Sequence, residues 1–345
     1  MVRHLSSRRK SGFKLSNSIK WNKEQRAKKQ KHTLSALRTC FFIFLLLILV
    51  FLSFKVWQMF SQSKWSGSER INLILTDRQA NLVSFSPDEG ELTIISLPQE
   101  TRIGVVHGYG DYPLGSLRKL EIQEKRKDLL VESLKENFGI PIDGWVETAG
   151  SEQQLADSGQ HTVASKEEIL TRLRSQMLGG GRSNLTSVDL FRLWWGIRGL
   201  RFDKIKTVDL VKTNSLTTQV LADQTQALEI NNSNLDERFQ RLFFEPLLRQ
   251  ERLGIEVLNA TMHPGLGERA ARIVNNMGGE VLIVGNSDKQ IKKCQASSTK
   301  EKKESYTVKK LEKVFNCDWE EKKEEGRAEI TLILGEDYWK LLNEK

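Results

Sequence analysis

Metal-binding side chains are scarce in this sequence. It has five histidines and three cysteines in 345 residues, with no HExxH, which excludes a zinc protease of that kind. There is no G-x-S-x-G and no P-loop, so neither a serine hydrolase elbow nor a Walker-type nucleotide site is written in the chain. Cys40 lies in an apolar run, where it reads as a small apolar residue. Cys294 and Cys317 have no histidine nearby and fit no zinc spacing, so no metal site is expected. An oxidising exterior allows these two to pair, closing a loop worth about 3 kcal/mol. Two separate buried thiols are the alternative. Acidic residues are nearly absent from the first 38 positions, where Glu24 stands alone against twelve lysines and arginines.

The stretch after that basic tail sets the class of the protein. Thr39–Phe54 is sixteen residues without a charge. Lys55 can snorkel, and apolar character continues to Phe60, which makes 22 residues in all. At 1.5 Å per residue that length crosses a hydrocarbon core of about 30 Å. A cleaved signal peptide is the competing reading, with Ser61 and Ser63 as its small residues, but the basic segment is far longer than an n-region. The positive-inside rule places the tail in the cytoplasm and the other 285 residues outside, as a single-pass type II signal-anchor protein of the cell membrane. The tail carries more charge than the net +9 of the whole chain, so the outer part is not basic. That argues for anionic lipid as the tail's partner and against nucleic acid.

The period changes to that of strands after a polar linker, residues 61–70. Ile71–Leu75, Ala80–Phe85 and Glu91–Leu97 read as strands, the last two joined by the turn at Asp88-Glu89-Gly90. His107–Gly115 is a Gly/Tyr loop in which Tyr109 and Tyr112 could meet a sugar, and Trp145 reads as a third exposed aromatic. Leu117–Phe138 reads as one helix and Pro141–Glu147 as a strand. Ser165 opens a helix with a capping box. Leu185–Leu200 is helical with a wide apolar face, and Trp194 and Trp195 are expected in the core. Residues 231–253 read as a connecting helix that Pro246 kinks or divides. Beyond it comes a β-α-β-α-β pattern, with a helix burying Ala270, Ile273, Val274 and Met277. Gln295–Ser305 reads as a mobile insertion.

Two segments resemble a known family. GIEVLNATMHPGLGERAARIVNNMGGEVLIVGNSD, together with AEITLILGEDY, looks like the C-terminal domain of LytR-CpsA-Psr proteins of the bacterial cell envelope. INLILTDRQANLVSFSPDEGELTIISLPQETRIGV, with LLVESLKENFGIPIDGWVET, resembles the start of that family's catalytic domain over residues 71–147. The resemblance implies an α/β architecture. It comprises a tail (1–38), a transmembrane helix (39–60), a linker (61–70), a mixed α/β domain resembling a truncated LytR-CpsA-Psr domain (71–230), the connecting helix (231–253) and a small α/β C-terminal domain (254–345).

The family chemistry implied is transfer of a glycopolymer from a polyprenyl pyrophosphate carrier to peptidoglycan. Arginines grip the pyrophosphate and a carboxylate holds a divalent metal on it. Here the metal-binding Asp falls on Arg78, and the PRDT-like turn has Gln99 and Glu100 in place of its Arg and Asp. Asp77, Glu100 and Arg102 remain as weak catalytic candidates, with Arg102 the candidate pyrophosphate ligand. The departures remove groups that dominate phosphoryl-transfer catalysis. The leading expectation is therefore a non-catalytic module that binds or scaffolds cell-wall glycopolymer or the peptidoglycan machinery, without a cofactor. A phosphotransferase using Mg2+ is the alternative. A membrane-bound transcriptional attenuator, its tail on DNA, is the weaker one.

Overall fold

The computed structural model describes residues 21, 41–55, 57–76, 80–126, 129–148, 164–220, 224, 226–322 and 326–344. The chain divides into two units, Met1–Gln62 and Ser63–Lys345. In the first, helix α1 (Phe41–Ser61) is long and apolar enough to cross a membrane.

The second unit is α/β. Its chain begins with β1 (Ile71–Thr76), β2 (Ala80–Ser86), β3 (Glu91–Leu97), β4 (Arg102–Val105) and β5 (Gly110–Pro113). Next come helices α2 (Leu114–Gln123) and α3 (Leu129–Phe138), strand β6 (Gly144–Thr148), helix α4 (Lys166–Met177), strand β7 (Gly181–Ser183), helix α5 (Ser187–Arg198) and strand β8 (Ile205–Asp209). Six of these strands form one mixed sheet in the order β7-β6-β1-β2-β3-β8. Its central strands are apolar on both faces because helices cover both. Ile74, Leu82, Ile95 and Leu97 pack with α2 and α3, while Leu73, Leu75, Val83 and Phe85 pack with α4 and α5. Strands β9 (Leu216–Val220) and β10 (Gln226–Ile230) form a hairpin, bridged to Thr101.

Capping chemistry fixes the helices on the outer face. Ser165 and Glu168 form a capping box on α4, and Thr186 and Asp189 form another on α5. Asp189 has a second task. It accepts hydrogen bonds from Ser63 Oγ (2.5 Å) and the Trp65 N–H (3.2 Å), so it holds the incoming chain against α5.

The C-terminal part runs α6 (Asn232–Leu242), α7 (Pro246–Glu251), β11 (Gly254–Asn259), α8 (Leu266–Asn276), β12 (Glu280–Asn286), β13 (Gln295–Ser298), α9 (Tyr306–Phe315), β14 (Asp318–Glu321), β15 (Ile330–Leu334) and α10 (Glu336–Asn343). Its sheet has the order β12-β11-β15-β13-β14. Ile255, Val257 and Leu332 share one core with Val274, Val308 and Leu311 of its helices, and that core continues into α3.

Several expectations are corrected. The single helix over Leu117–Phe138 is two, broken where Lys125 takes φ +55°. The connecting helix of 231–253 divides, as Pro246 led one to expect: the chain leaves helical geometry after Phe243 and Pro246 starts α7. The segment expected to be mobile contains β13, whose Ala296, Ser297 and Ser298 are small enough to lie buried between β14 and β15. The C-terminal pattern is therefore β-α-β-β-α-β-β-α rather than β-α-β-α-β.

Polar groups join the two sheets. Arg272 of α8 donates from Nε to both Asp236 carboxylate oxygens at 2.8 Å, and from Nη1 to the carbonyls of Glu136 (3.3 Å) and Asn137 (3.1 Å). A guanidinium on the last carbonyls of α3 also complements that helix's dipole. Asn276 donates to the Gly139 carbonyl at 3.0 Å. Deeper in, Lys310 Nζ lies 2.7 Å from Glu245 Oε1, an ion pair outside hydrogen-bond angles, while Tyr306 donates to the other Glu245 oxygen at 3.1 Å.

Removing Arg272 strands Asp236 and two carbonyls. Arg272→Ala should lower unfolding stability by about 3–5 kcal/mol in urea titration, with Arg272→Lys recovering only part because it lacks the planar fork. Asp189 supplies a pH test. Burial alone raises a carboxyl pKa, but hydrogen bonds from Ser63, Thr186 and Lys64 outweigh it and hold this one below the ordinary range. Its contribution is therefore full above about pH 4 and lost as pH falls through the depressed value. Asp189→Asn should flatten the acid limb of a stability–pH profile.

Candidate functional site

The β4–β5 hairpin, the C-terminal end of α3 and the polar faces of α8 and α10 enclose a cleft of about 720 Å³. Each wall has a local cause. The hairpin turns through His107 (φ +64°), Gly108 (φ +68°) and Gly110 (φ +88°), backbone conformations that suit glycine and cost a side chain strain. His107 is pinned by its N–H on the Leu342 carbonyl at 2.5 Å and by Nδ1 against the Glu344 carbonyl at 2.6 Å. Asn137 ties α3 to the hairpin, accepting from the Gly104 N–H at 2.9 Å and donating to its carbonyl at 2.7 Å. Arg272 sets α8 as the opposite wall.

The lining is polar and of both signs. Arg102, Arg269 and Arg272 face it, with Asp111, Glu136, Glu229 and Glu268 and the amides of Asn137, Asn232 and Asn343. The arginines differ in what they already hold. Arg272 is committed to Asp236. Arg102 has one long contact, 3.5 Å to the Asp111 carbonyl, and neither it nor exposed Arg269 forms an ion pair among the described residues. Glu136 accepts from the Tyr338 hydroxyl at 2.8 Å, and burial pushes its carboxyl up. Two uncommitted guanidinium groups on opposite walls, with amides and carboxylates between them, suit a ligand that combines phosphate with hydroxyl groups.

The residues singled out from sequence scatter. Arg102 is at this cleft. Glu100 is exposed one strand start earlier and does not line it. Asp77, and Arg78 beside it, lie outside the described residues. Asp111 lines the cleft, Tyr112 is half-buried, and Tyr109 donates to Glu124 at 3.0 Å. Trp145, expected to be exposed, is buried beneath Arg118, whose guanidinium lies 4.2 Å from the ring centroid. Cys294 and Cys317 form a disulfide with Cα atoms 4.6 Å apart, tying the entry to β13 to the entry to β14. Sequence reasoning missed Arg269 and Arg272. They stand three apart on the polar face of a helix whose apolar face is plain in the sequence, and only the docking of that helix shows what they meet.

A second polar cluster sits at the carboxyl ends of β1 and β6, where open α/β sheets bind ligands. Arg118 pairs with Glu121, and with Glu147 at 2.7 Å, while Arg182 lies 3.8 Å from the same Glu147 oxygen. Burial works against the Arg118 charge, but the two glutamates hold its pKa above the ordinary value. Two arginines and two glutamates balance one another here.

Comparison with known proteins places part of the chain. Residues 252–338 match the family model described as LytR cell envelope-related transcriptional attenuator. Those residues thus form a domain of the LytR C-terminal kind. No curated protein matches the chain. Solved structures resemble it loosely. Bacillus subtilis TagT is 17% identical, with 52% of this chain and 91% of that one covered at TM-score 0.36. TagT bound to LIIa-WTA is 16% identical over 51% of this chain and 90% of that one, at 0.35. The LytR-CPS2A-psr family protein YwtF (TagT) with bound octaprenyl pyrophosphate lipid is 17% identical over 50% and 88%, at 0.34.

The disulfide stands apart from the cleft, so its loss should affect folding alone. Replacing Cys294 and Cys317 together by alanine should lower stability by about 3 kcal/mol in chemical denaturation and leave ligand affinity in the cleft unchanged.

Proposed function

We propose that this protein is a membrane-anchored component of the bacterial cell envelope, its N-terminus cytoplasmic and its two α/β parts outside. Its outer part binds a phosphate-bearing cell-wall glycopolymer in the cleft and scaffolds that polymer for the peptidoglycan machinery. The carrying observation is the pair Arg102 and Arg269, two guanidinium groups without ion partners among the described residues, on opposite walls of one open polar cleft. The LytR C-terminal domain supports the envelope setting, and it supplies one of the two walls. The apolar α1 behind a strongly basic tail supports the anchor and its orientation.

One observation favours the phosphotransferase reading. Arg118, Glu121 and Glu147 occupy the carboxyl ends of the central strands, the usual ligand position of such sheets. That chemistry needs a divalent metal on the pyrophosphate, and both glutamates here are already paired with Arg118. No catalytic step is assigned to these residues.

The test uses a chain without residues 1–38, so that the basic tail adds no binding of its own. A fluorescent glycerol-phosphate oligomer should bind with an affinity that falls at least about tenfold in Arg102→Gln and again in Arg269→Gln, since a charge-assisted hydrogen bond contributes about 1.5–3 kcal/mol. Equal affinity in all three chains would refute the reading. Magnesium-dependent transfer of polymer from a lipid pyrophosphate, abolished by Arg118→Ala, would replace it with the transferase.

A further inference from the structure

The apolar surface of helix α5 extends beyond its buried side. Leu190, Leu193 and Ile197 are buried against the sheet. Phe191, Trp194, Trp195 and Arg198, spaced i, i+3, i+4 and i+7, form the adjoining side, with Trp194 half-buried at its edge. The expectation that both tryptophans lie in the core fails for Trp195, which is 63% exposed, next to Phe191 at 52%. The rings cluster: Phe191 lies 6.4 Å from Trp194 and 6.2 Å from Trp195 between centroids. The Arg198 guanidinium sits 5.3 Å from the Trp194 ring and 6.0 Å from that of Trp195. Arg174 and Met177 of α4 extend the patch, and Leu178 just beyond is 80% exposed.

A helix facing water presents a polar outer side. This one presents stacked aromatics edged by arginine, the composition that sits at the membrane–water interface, where rings lie at headgroup level and cations meet lipid phosphate. Chain connectivity points to the same partner. Ser61 is the last residue of α1, and Ser63 is already bound to Asp189 in the first turn of α5. One residue lies between them, a reach of about 7 Å across two trans peptide steps. Arg192, on the next turn, holds the same segment through Ser63 Oγ (3.0 Å) and the Trp65 carbonyl (2.6 Å). A chain that leaves the bilayer at the end of α1 therefore reaches the segment that α5 holds within two residues.

We propose that the Phe191–Trp194–Trp195–Arg198 face of α5 is a membrane-interface platform that rests on an anionic lipid surface. It rests in turn on the reading of α1 as a membrane anchor. The platform adds a second attachment to the single helix and so fixes which side of the outer part faces the bilayer. The exposed rings of Phe191 and Trp195 enter the headgroup layer, and Arg198 and Arg174 take lipid phosphates.

The full chain in nanodiscs of phosphatidylcholine and phosphatidylglycerol, doped with a lipid carrying a diazirine at headgroup depth, tests this. Photolabelled peptides are mapped by mass spectrometry, with the segment around Met262, also 75% exposed, as the background. Labelling of residues 187–202 should exceed that background several-fold and drop to it in Phe191→Ser/Trp195→Ser, a variant on exposed positions whose circular dichroism should match the parent. Labelled α1 flanks with α5 at background would overturn the platform and leave the anchor standing. Both segments at background would overturn the anchor, and the platform with it.

Discussion

Arg272 holds the unit Ser63–Lys345 together as one body. Its guanidinium reaches Asp236 and Asn232 on α6 and the carbonyls of Glu136 and Asn137 at the end of α3, so one side chain of α8 is bonded both to the helix that leads into the C-terminal sheet and to a helix of the preceding part. Phe138 and Phe239 pack beside it, edge to face, at 6.1 Å. The apolar contact supplies area without direction. The forked donor supplies direction, because its bonds are met in only one orientation of α8 against α3. The cleft depends on that orientation, since α8 is one of its walls.

The residues themselves explain how much of this was legible. The three leading strands were visible because each is a nearly continuous apolar run closed by a turn, and both faces are covered by helices. The β4–β5 pair, β13 and β14 were not. RIGV, GDYP, QASS and DWEE are short and carry small or polar residues, and their strand geometry comes from neighbours. The helix break at Lys125 was hidden for the opposite reason, whereas Pro246 announced the one after Phe243. Local propensity at Lys125 favours helix, and packing overrides it. At the cleft, sequence pointed to Arg102 through resemblance to a motif. It could not pair that residue with Arg269, more than 150 positions away on a helix whose polar side carries no local signal. Trp195 of α5 misled because an apolar residue on a helix is usually inward, and the apolar surface of this helix extends beyond its buried side.

The two polar clusters differ in a way that bears on function. At the strand ends, Arg118 and Arg182 are matched by Glu121 and Glu147, and Arg118 also covers Trp145. Any phosphate entering there competes with carboxylates already in place. At the cleft, Asp111, Glu136, Glu229 and Glu268 share the lining, but Arg102 and Arg269 form no ion pair among the described residues. Coulomb attraction at a half-exposed site is modest for one charge, so the proposed reading requires two cations acting on one chain of phosphates, a requirement that a repeating anionic polymer fits better than a single small anion.

Hydrogen exchange of the full chain, with and without a poly(glycerol phosphate), tests the central claim most directly. If the polymer lies between the walls, protection should rise together in the β4–β5 hairpin (residues 102–113) and in α8 (266–276). Protection confined to one wall, or found only at the Arg118–Glu147 cluster, would contradict the account.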